Sequence, residues 1–148
     1  MKEEQFTVAT PQEFTSVINA IISKAELITD QAAVVTLTGD LGAGKTTFTQ
    51  QLAKSLQVTE QVVSPTFGIM KSYEINGHSH FDTLVHIDAY RIEDISEVGP
   101  LRFKELFQVP RTLICIEWPG QIADILPVKK VEVTIEIQDQ DNRLVKVQ

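Results

Sequence analysis

The feature that most constrains this chain is a glycine-rich octapeptide, GDLGAGKT, which occupies residues 39–46. It matches the pattern G-x-x-x-x-G-K-[ST] at every fixed position. Glycines let the backbone curl until several N–H groups point at one anion, and the helix that follows adds the positive end of its dipole. In such a loop Lys45 can reach the β and γ phosphates of a nucleoside triphosphate, and the Thr46 hydroxyl can ligate Mg²⁺. The octapeptide therefore predicts a phosphate-binding P-loop.

The residues on either side of the octapeptide predict the strand and the helix that a P-loop joins. Ala32 to Thr38 form a short, β-branched and nearly all-apolar run. Such a run is typical of a strand buried on both faces of a parallel sheet. Beyond the loop, Phe48, Leu52 and Leu56 recur every four residues, as one face of a helix does.

The remaining elements follow from the same periodicities. Thr10 is expected to cap a helix that has Pro11 at its first position and apolar residues at helical spacing as far as Ile28. Two more helix starts are predicted near Asp94 and at Pro100. The other predicted elements are strands at 6–9, 69–75, 84–87, 112–118, 131–137 and 144–147, a strand end or loop at 61–67, and a short helix at 119–126. The order predicts one α/β P-loop NTPase-like domain over residues 1–148, a sandwich with a mixed parallel and antiparallel central sheet flanked by helices.

Two acidic residues stand at the ends of apolar strands, where site residues belong in α/β folds. Asp88 ends the run from Leu84, and Glu117 ends the run from Leu113. A P-loop protein needs a carboxylate near its metal and a group that orients the attacking group. Each residue could instead do no more than cap the turn at its strand's exit.

Composition and missing motifs narrow the class of nucleotide-binding protein. The net charge of −7 argues against direct, broad binding to nucleic acid. The chain has neither N-K-x-D nor D-x-x-G, which disfavours guanine and leaves ATP as the expected nucleotide. It has only four arginines, too few for the lid of a small-molecule kinase. These absences favour a minimal ATPase.

The single cysteine and the hydropathy indicate the setting. Cys115 lies in an apolar run and is expected to be a buried hydrophobe in a reduced, cytoplasmic protein. No signal-peptide segment and no apolar run of about 20 residues is present, so no membrane association is expected. His86 is expected to pack within its strand and His78 and His80 to lie in a solvated loop. Lys45 is expected to face solvent when no nucleotide is bound.

Four segments together resemble the TsaE (YjeE) family, the small ATPase of bacterial tRNA threonylcarbamoyladenosine synthesis. They are GDLGAGKTT at 39–47, SPTF at 64–67, HIDAYR at 86–91 and IEWP at 116–119, in the family's order. The resemblance implies that Thr46 and Glu117 hold Mg²⁺ and that Asp88 is the carboxylate needed for hydrolysis. It places Thr66 in a switch segment that faces the γ-phosphate, and it implies that Trp118, Tyr90 and Arg91 support the site. The residues expected to contact ATP are Asp40, Gly42, Ala43, Gly44, Lys45, Thr46, Thr47 and Thr66.

The resemblance also implies a biological role. A member of this family docks on the TsaB–TsaD pair and hydrolyses ATP weakly, with stimulation by that pair. It supports the modification of the adenosine beside the anticodon and meets tRNA only through its partners. Two alternatives stay open: a nucleotide-responsive binding module with negligible turnover, and a small P-loop phosphotransferase.

Overall fold

The computed structural model describes residues 3–40, 42–63 and 69–148. In these ranges seven strands form one sheet: β1 Glu4–Val8, β2 Ala33–Thr38, β3 Met70–Glu74, β4 Thr83–Asp88, β5 Thr112–Glu117, β6 Val131–Ile137 and β7 Arg143–Val147. The order across the sheet is β1-β7-β6-β2-β5-β4-β3. β2 is parallel to β5 and β6, and β4 is parallel to β5, while the three remaining pairs are antiparallel. The predicted mixed α/β sheet is confirmed.

Helices lie on both faces of the sheet. The α-helices are α1 Phe14–Ala25, α2 Lys45–Ser55 and α3 Phe103–Leu106, and 3₁₀ helices span Pro11–Glu13, Ile95–Leu101 and Pro119–Ile125. α1 and α2 share one apolar cluster with the sheet, and α3 and the last two 3₁₀ helices share another on the opposite face. None of the helices in the described part of the chain is long and apolar enough to cross a bilayer.

The central strands are buried on both faces because consecutive side chains enter different clusters. Val35 and Leu37 of β2 pack in the cluster under α1 and α2, whereas Val34 packs in the opposite cluster. Burying each such side chain stabilises the fold by about 1.5–3 kcal/mol. Phe14 and Phe48 join α1 to α2 edge to face, with ring centroids 5.6 Å apart. The buried apolar run that predicted β2 therefore encodes a strand between two packed layers.

One predicted cap and one predicted helix start differ from the structure, whereas the first helical turn begins at Pro11 after Thr10, as predicted. Thr10 makes no side-chain cap, because its Oγ1 donates to Glu13 Oε1 at 3.2 Å while the Glu13 N–H bonds the Thr10 carbonyl. The helix predicted from Pro100 begins at Phe103, because Arg102 takes a left-handed conformation (φ 55°) and ends the preceding 3₁₀ helix. The start near Asp94 is confirmed, since its carboxylate accepts from the Ser96 N–H at 3.0 Å. In the predicted loop at 61–67, residues 64–67 lie outside the described residues.

The sheet brings three strand ends to one edge. β2, β5 and β4 are parallel neighbours, so their carboxyl ends meet on the same side. Glu117 pairs in register with Leu37 on one side and with Asp88 on the other. Since β2 leads directly into the glycine-rich loop, the loop and both carboxylates come together at this edge.

Candidate functional site

The glycine-rich loop ends at Gly44, which precedes the first residue of α2. Gly44 has φ 110° and ψ 21°, a left-handed conformation that strains any residue with a Cβ. The loop turns on itself through a bond from the Ala43 N–H to the Asp40 carbonyl, at 3.0 Å. The first N–H groups of α2 are thus presented at its positive end, where an anion is stabilised.

The first glycine of the motif is required by a close approach of backbones. A Cβ on Gly39 would lie 2.6 Å from the carbonyl oxygen of Ile135 and 3.3 Å from the Ala43 Cβ. Ile135 belongs to β6, which pairs with β2 immediately before the loop. Only glycine therefore lets the loop leave β2 at this point without displacing the neighbouring strand.

Lys45 is enclosed by the loop that precedes it. Its Nζ donates to the carbonyls of Gly39 and Asp40, the latter at 3.0 Å, and lies 4.3 Å from the centre of the Trp118 ring. The residue is 6% exposed, so the prediction that it faces solvent is wrong. Burial lowers the pKa of the Lys45 ammonium, and the charges of Glu117, Asp40 and Asp88 oppose that shift. An anion entering here would meet a cation that its surroundings already hold in place.

The two strand-end carboxylates stand beside the loop, as their positions in the sequence predicted. A cavity of about 390 Å³ is lined by Lys45, Thr46, Asp88 and Glu117, together with Gly42, Gly44, Thr47, Tyr90 and Trp118. Asp88 Oδ1 accepts from the Tyr90 N–H at 3.0 Å, and the Glu117 carbonyl accepts from the Ala89 N–H at 3.0 Å. The first bond fixes Asp88 to the turn that follows β4, and the second ties that turn to the end of β5, so the two carboxylates are held by a common scaffold.

Glu117 also has a buried side-chain partner that sequence reasoning missed. His86 Nε2 lies 2.6 Å from Glu117 Oε2, and the two residues are 0% and 3% exposed. His86 is packed within its strand, as predicted, but it is not an inert core residue. The signal in the sequence was its position two residues before Asp88, which puts both side chains on one face of β4.

Trp118 and Tyr90 form an aromatic pair beside the cavity. Trp118 follows Glu117 in a left-handed conformation (φ 59°, ψ 52°), an uncommon one for a bulky residue, and its ring lies against Lys45 Nζ. The Tyr90 and Trp118 ring centroids are 5.1 Å apart, and Tyr90 is about half exposed. The pair places apolar surface between the loop and solvent.

Arg143 is a second residue that sequence reasoning missed. It lies at the start of β7, and its guanidinium donates to the carbonyl of Ala43 at 3.1 Å and that of Gly42 at 3.5 Å. The hydrogen bonds therefore orient both carbonyl oxygens toward Arg143. Arg143 and Ala43 are 100 residues apart in the sequence, so no local pattern could reveal their contact.

The other predicted site residues are distributed as follows. The Asp40 carbonyl, not its carboxylate, is the group that bonds Lys45. Ala43 is 1% exposed and lines a second cavity of about 270 Å³, which shares Gly42, Gly44 and Thr47 with the first. Thr66 lies outside the described residues. In the described ranges no three His, Cys, Asp or Glu side chains are grouped to hold a metal.

His78 is less exposed than a solvated-loop residue, since its side chain is 15% exposed. Its Nδ1 accepts from the N–H groups of His80 and Phe81, at 3.1 and 3.2 Å. The ring proton therefore lies on Nε2, which faces Glu26 at 3.8 Å. The two backbone bonds to Nδ1 show that His78 orders the β3–β4 loop.

Comparison with known proteins places the chain among its relatives. The family model described as "Threonylcarbamoyl adenosine biosynthesis protein TsaE" matches residues 8–145. The chain is 36% identical over 143 residues to "tRNA threonylcarbamoyladenosine biosynthesis protein TsaE" of Bacillus subtilis, covering 97% of this chain and 84% of that protein. It is 32% identical over 140 residues to the Haemophilus influenzae protein of the same name, covering 92% and 85%.

A solved structure shows the same fold. The crystal structure of Bacillus subtilis YdiB superposes with a TM-score of 0.72 at 29% sequence identity, covering 99% of this chain and 84% of that one. The family match takes in the glycine-rich loop and both strand-end carboxylates. The chain therefore belongs to the TsaE family of threonylcarbamoyl adenosine biosynthesis proteins.

Proposed function

We propose that this protein binds and hydrolyses ATP, and that it thereby supports a TsaB–TsaD complex in the threonylcarbamoylation of the tRNA adenosine beside the anticodon. The observation that carries the proposal is the convergence of Lys45, Thr46, Asp88 and Glu117 on one cavity. Membership of the TsaE family supplies the pathway. The ATPase activity and the two partners are the proposed part.

The residues present fit the phosphates of ATP. Gly44 holds the left-handed turn at the start of α2, and the Lys45 cation lies beside it. A triphosphate bound there would accept hydrogen bonds from the α2 N–H groups. Its oxygens would also replace the carbonyls of Gly39 and Asp40 as the acceptors for Lys45. The cation–π contact with Trp118 would then have to adjust, because the ammonium moves toward the phosphates.

The residues present also fit Mg²⁺. A Thr46 hydroxyl and a Glu117 carboxylate line the same cavity and offer oxygen ligands, which this cation prefers. When bound, Mg²⁺ would neutralise the charge that develops on the transferred phosphoryl group. Asp88 has one carboxylate oxygen engaged by the Tyr90 N–H, so we assign its other oxygen to orient the attacking water. Thr66 is proposed to sense the γ-phosphate.

We assign the base and ribose to the second cavity. It shares three loop residues with the phosphate cavity and continues to Thr10, Pro11 and Phe14 on one side and to Gln140 and Asp141 on the other. The ring of Phe14 and the Pro11 ring offer apolar surface for a purine. Adenine is thereby proposed to lie between the first helix and the turn that joins β6 to β7.

The charge of the chain supports indirect contact with tRNA. A protein with a net charge of −7 is a weak primary ligand for a polyanion, so the tRNA is proposed to bind the partners. We place the protein in the cytoplasm, where tRNA modification takes place and where a lone thiol such as Cys115 stays reduced.

The proposal is tested by the ATPase rate of the purified protein with and without TsaB and TsaD. The protein alone should hydrolyse ATP slowly, and the pair should accelerate it. Lys45→Ala should abolish the activity by removing the phosphate-binding cation. An unchanged rate, together with no complex in co-purification, would refute the proposed role.

A Glu117→Ala variant separates this proposal from a nucleotide-responsive binding module. If the variant still binds ATP but no longer supports tRNA modification in cells, hydrolysis is the essential step. If modification survives, the site works as a switch without turnover. Phosphorylation of a metabolite at a Lys45-dependent rate would point instead to a phosphotransferase.

A further inference from the structure

His86 and Glu117 form a buried polar pair in a mostly apolar layer. Both residues lie on the sheet face that packs under α1 and α2, where most neighbouring side chains are apolar, for example Leu84 and Leu113. Burying an imidazole and a carboxylate there costs free energy unless each is hydrogen-bonded. Packing alone would be served better by an apolar side chain, so the pair calls for a role in the site.

The sheet register fixes how the pair meets. His86 is the register partner of Cys115, and Asp88 is the register partner of Glu117. The Glu117 side chain therefore reaches diagonally to His86 on the neighbouring strand, at 2.6 Å from Nε2 to Oε2. The Ala89 N–H holds the Glu117 carbonyl at 3.0 Å. β4 thus anchors Glu117 at both its backbone and its side chain.

The hydrogen bond has a defined direction. When Glu117 acts as a carboxylate, as a metal ligand does, its oxygen only accepts, and His86 Nε2 then donates the proton to Glu117 Oε2. His86 Nδ1 has no hydrogen-bond partner in the described part of the chain, and no second bond holds the ring in place. Within the described part of the chain, the bond to Glu117 is therefore the hydrogen bond that the His86 ring makes.

We propose that His86 is a positioning residue for Glu117. By engaging Oε2 it selects one carboxylate rotamer and directs the other oxygen to the cavity, where the metal is proposed to bind. The inference rests on the proposed function, because it requires Glu117 to be a metal ligand. Hydrogen-bonded partners of ligating carboxylates typically change metal affinity or activity by about 10- to 100-fold when removed.

A matched pair of substitutions tests the inference. The amide nitrogen of glutamine and the terminal methyl of methionine stand at the same number of bonds from Cβ as His86 Nε2, but only glutamine carries a donor. ATP affinity is measured by calorimetry with Mg²⁺ and again with EDTA. His86→Met should weaken binding with Mg²⁺ by about 10- to 100-fold and leave binding in EDTA unchanged, and His86→Gln should retain most of the wild-type affinity.

Two further variants make each outcome decisive. Cys115→Ala alters the same buried layer without removing either partner of the His86–Glu117 bond and should leave the Mg²⁺ dependence unchanged. If His86→Met does not fold, His86→Asn replaces it, because its amide is too short to reach Glu117. Equal losses for His86→Met and His86→Gln, or no loss for His86→Met, would overturn the inference.

A Glu117→Gln variant separates failure of the inference from failure of the proposed function. It should lose the Mg²⁺ dependence to the same extent as His86→Met. If Glu117→Gln keeps the full Mg²⁺ dependence, the metal role of Glu117 is wrong whatever His86 does. If Glu117→Gln loses it and His86→Met does not, only the positioning role is wrong.

Discussion

Replacing Gly39 by alanine tests whether the phosphate-binding loop is fixed by its contact with β6. The new Cβ would lie 2.6 Å from the Ile135 carbonyl oxygen, about 0.8 Å inside the 3.4 Å at which ordinary van der Waals contact begins. That oxygen belongs to a strand paired with β2, so it cannot rotate away as a flexible side chain would. The clash must be relieved by moving the loop or the strand.

Two opposing terms determine how Gly39→Ala changes the free energy of unfolding. Overpacking of this kind costs about 1–3 kcal/mol. Replacing glycine lowers the entropy of the unfolded chain, which offsets about 0.4–1 kcal/mol. The steric term exceeds the entropic one, so Gly39→Ala should lower the free energy of unfolding by about 1–2 kcal/mol. For a chain of this size that corresponds to a melting temperature lower by about 2–8 °C.

The assay is chemical and thermal denaturation together with ATP affinity. Gly120→Ala is the matched control, since a Cβ there meets no atom within 4 Å. It should change the free energy of unfolding by no more than about 0.5 kcal/mol. If Gly39→Ala is as stable as Gly120→Ala and binds ATP like the wild type, the close approach does not constrain the loop.

Two other predictions concern Lys45 and Cys115. Lys45→Ala should abolish ATP binding and, because the carbonyls of Gly39 and Asp40 lose their donor, lower the free energy of unfolding by about 1–3 kcal/mol. The control Lys54→Ala, on an exposed face of α2, should not lower it. Denaturation curves check this prediction, and unchanged stability of Lys45→Ala would contradict it. Burial raises the pKa of the Cys115 thiol from 9.0 to about 12, so the native protein should resist alkylation at pH 8 and react only on unfolding. The same pKa shift contributes stability that is fully present below pH 9.0 and is lost as the pH rises toward 12. Fast alkylation of the native protein would refute the predicted protection of the thiol.

The sequence predicted those parts of the molecule that depend on local patterns. The strand before the loop is buried on both faces, so its apolar run carries no alternation and reads as a parallel-sheet strand. Asp88 and Glu117 could be placed together because the carboxyl ends of parallel strands share one edge. The glycine-rich loop could be recognised without tertiary information, because its motif is contiguous in the sequence, although contacts with Ile135 and Arg143 also hold it.

The parts that the sequence did not predict depend on contacts between distant residues. The bond between His86 and Glu117 joins residues 31 apart, and the support of Ala43 by Arg143 joins residues 100 apart. The spacing of His86 and Asp88 indicates a shared face of β4 but not the contact with Glu117, and no local pattern indicates the contact of Arg143. Lys45 was expected to face solvent because long cations usually do, but the loop carbonyls and the Trp118 ring enclose it. The helix start at Phe103 depends on the left-handed Arg102, which no residue preference indicates.

The central claim is that the loop, Thr46 and Glu117 hold a metal–ATP complex at the edge of the sheet. The most direct measurement is a crystal structure with a non-hydrolysable ATP analogue, with Mn²⁺ in place of Mg²⁺ so that anomalous scattering locates the metal. We expect the metal in contact with Thr46 Oγ1 and a Glu117 oxygen, and Lys45 Nζ on phosphate oxygens. A triphosphate bound elsewhere, or a metal that neither Thr46 nor Glu117 ligates, would contradict it.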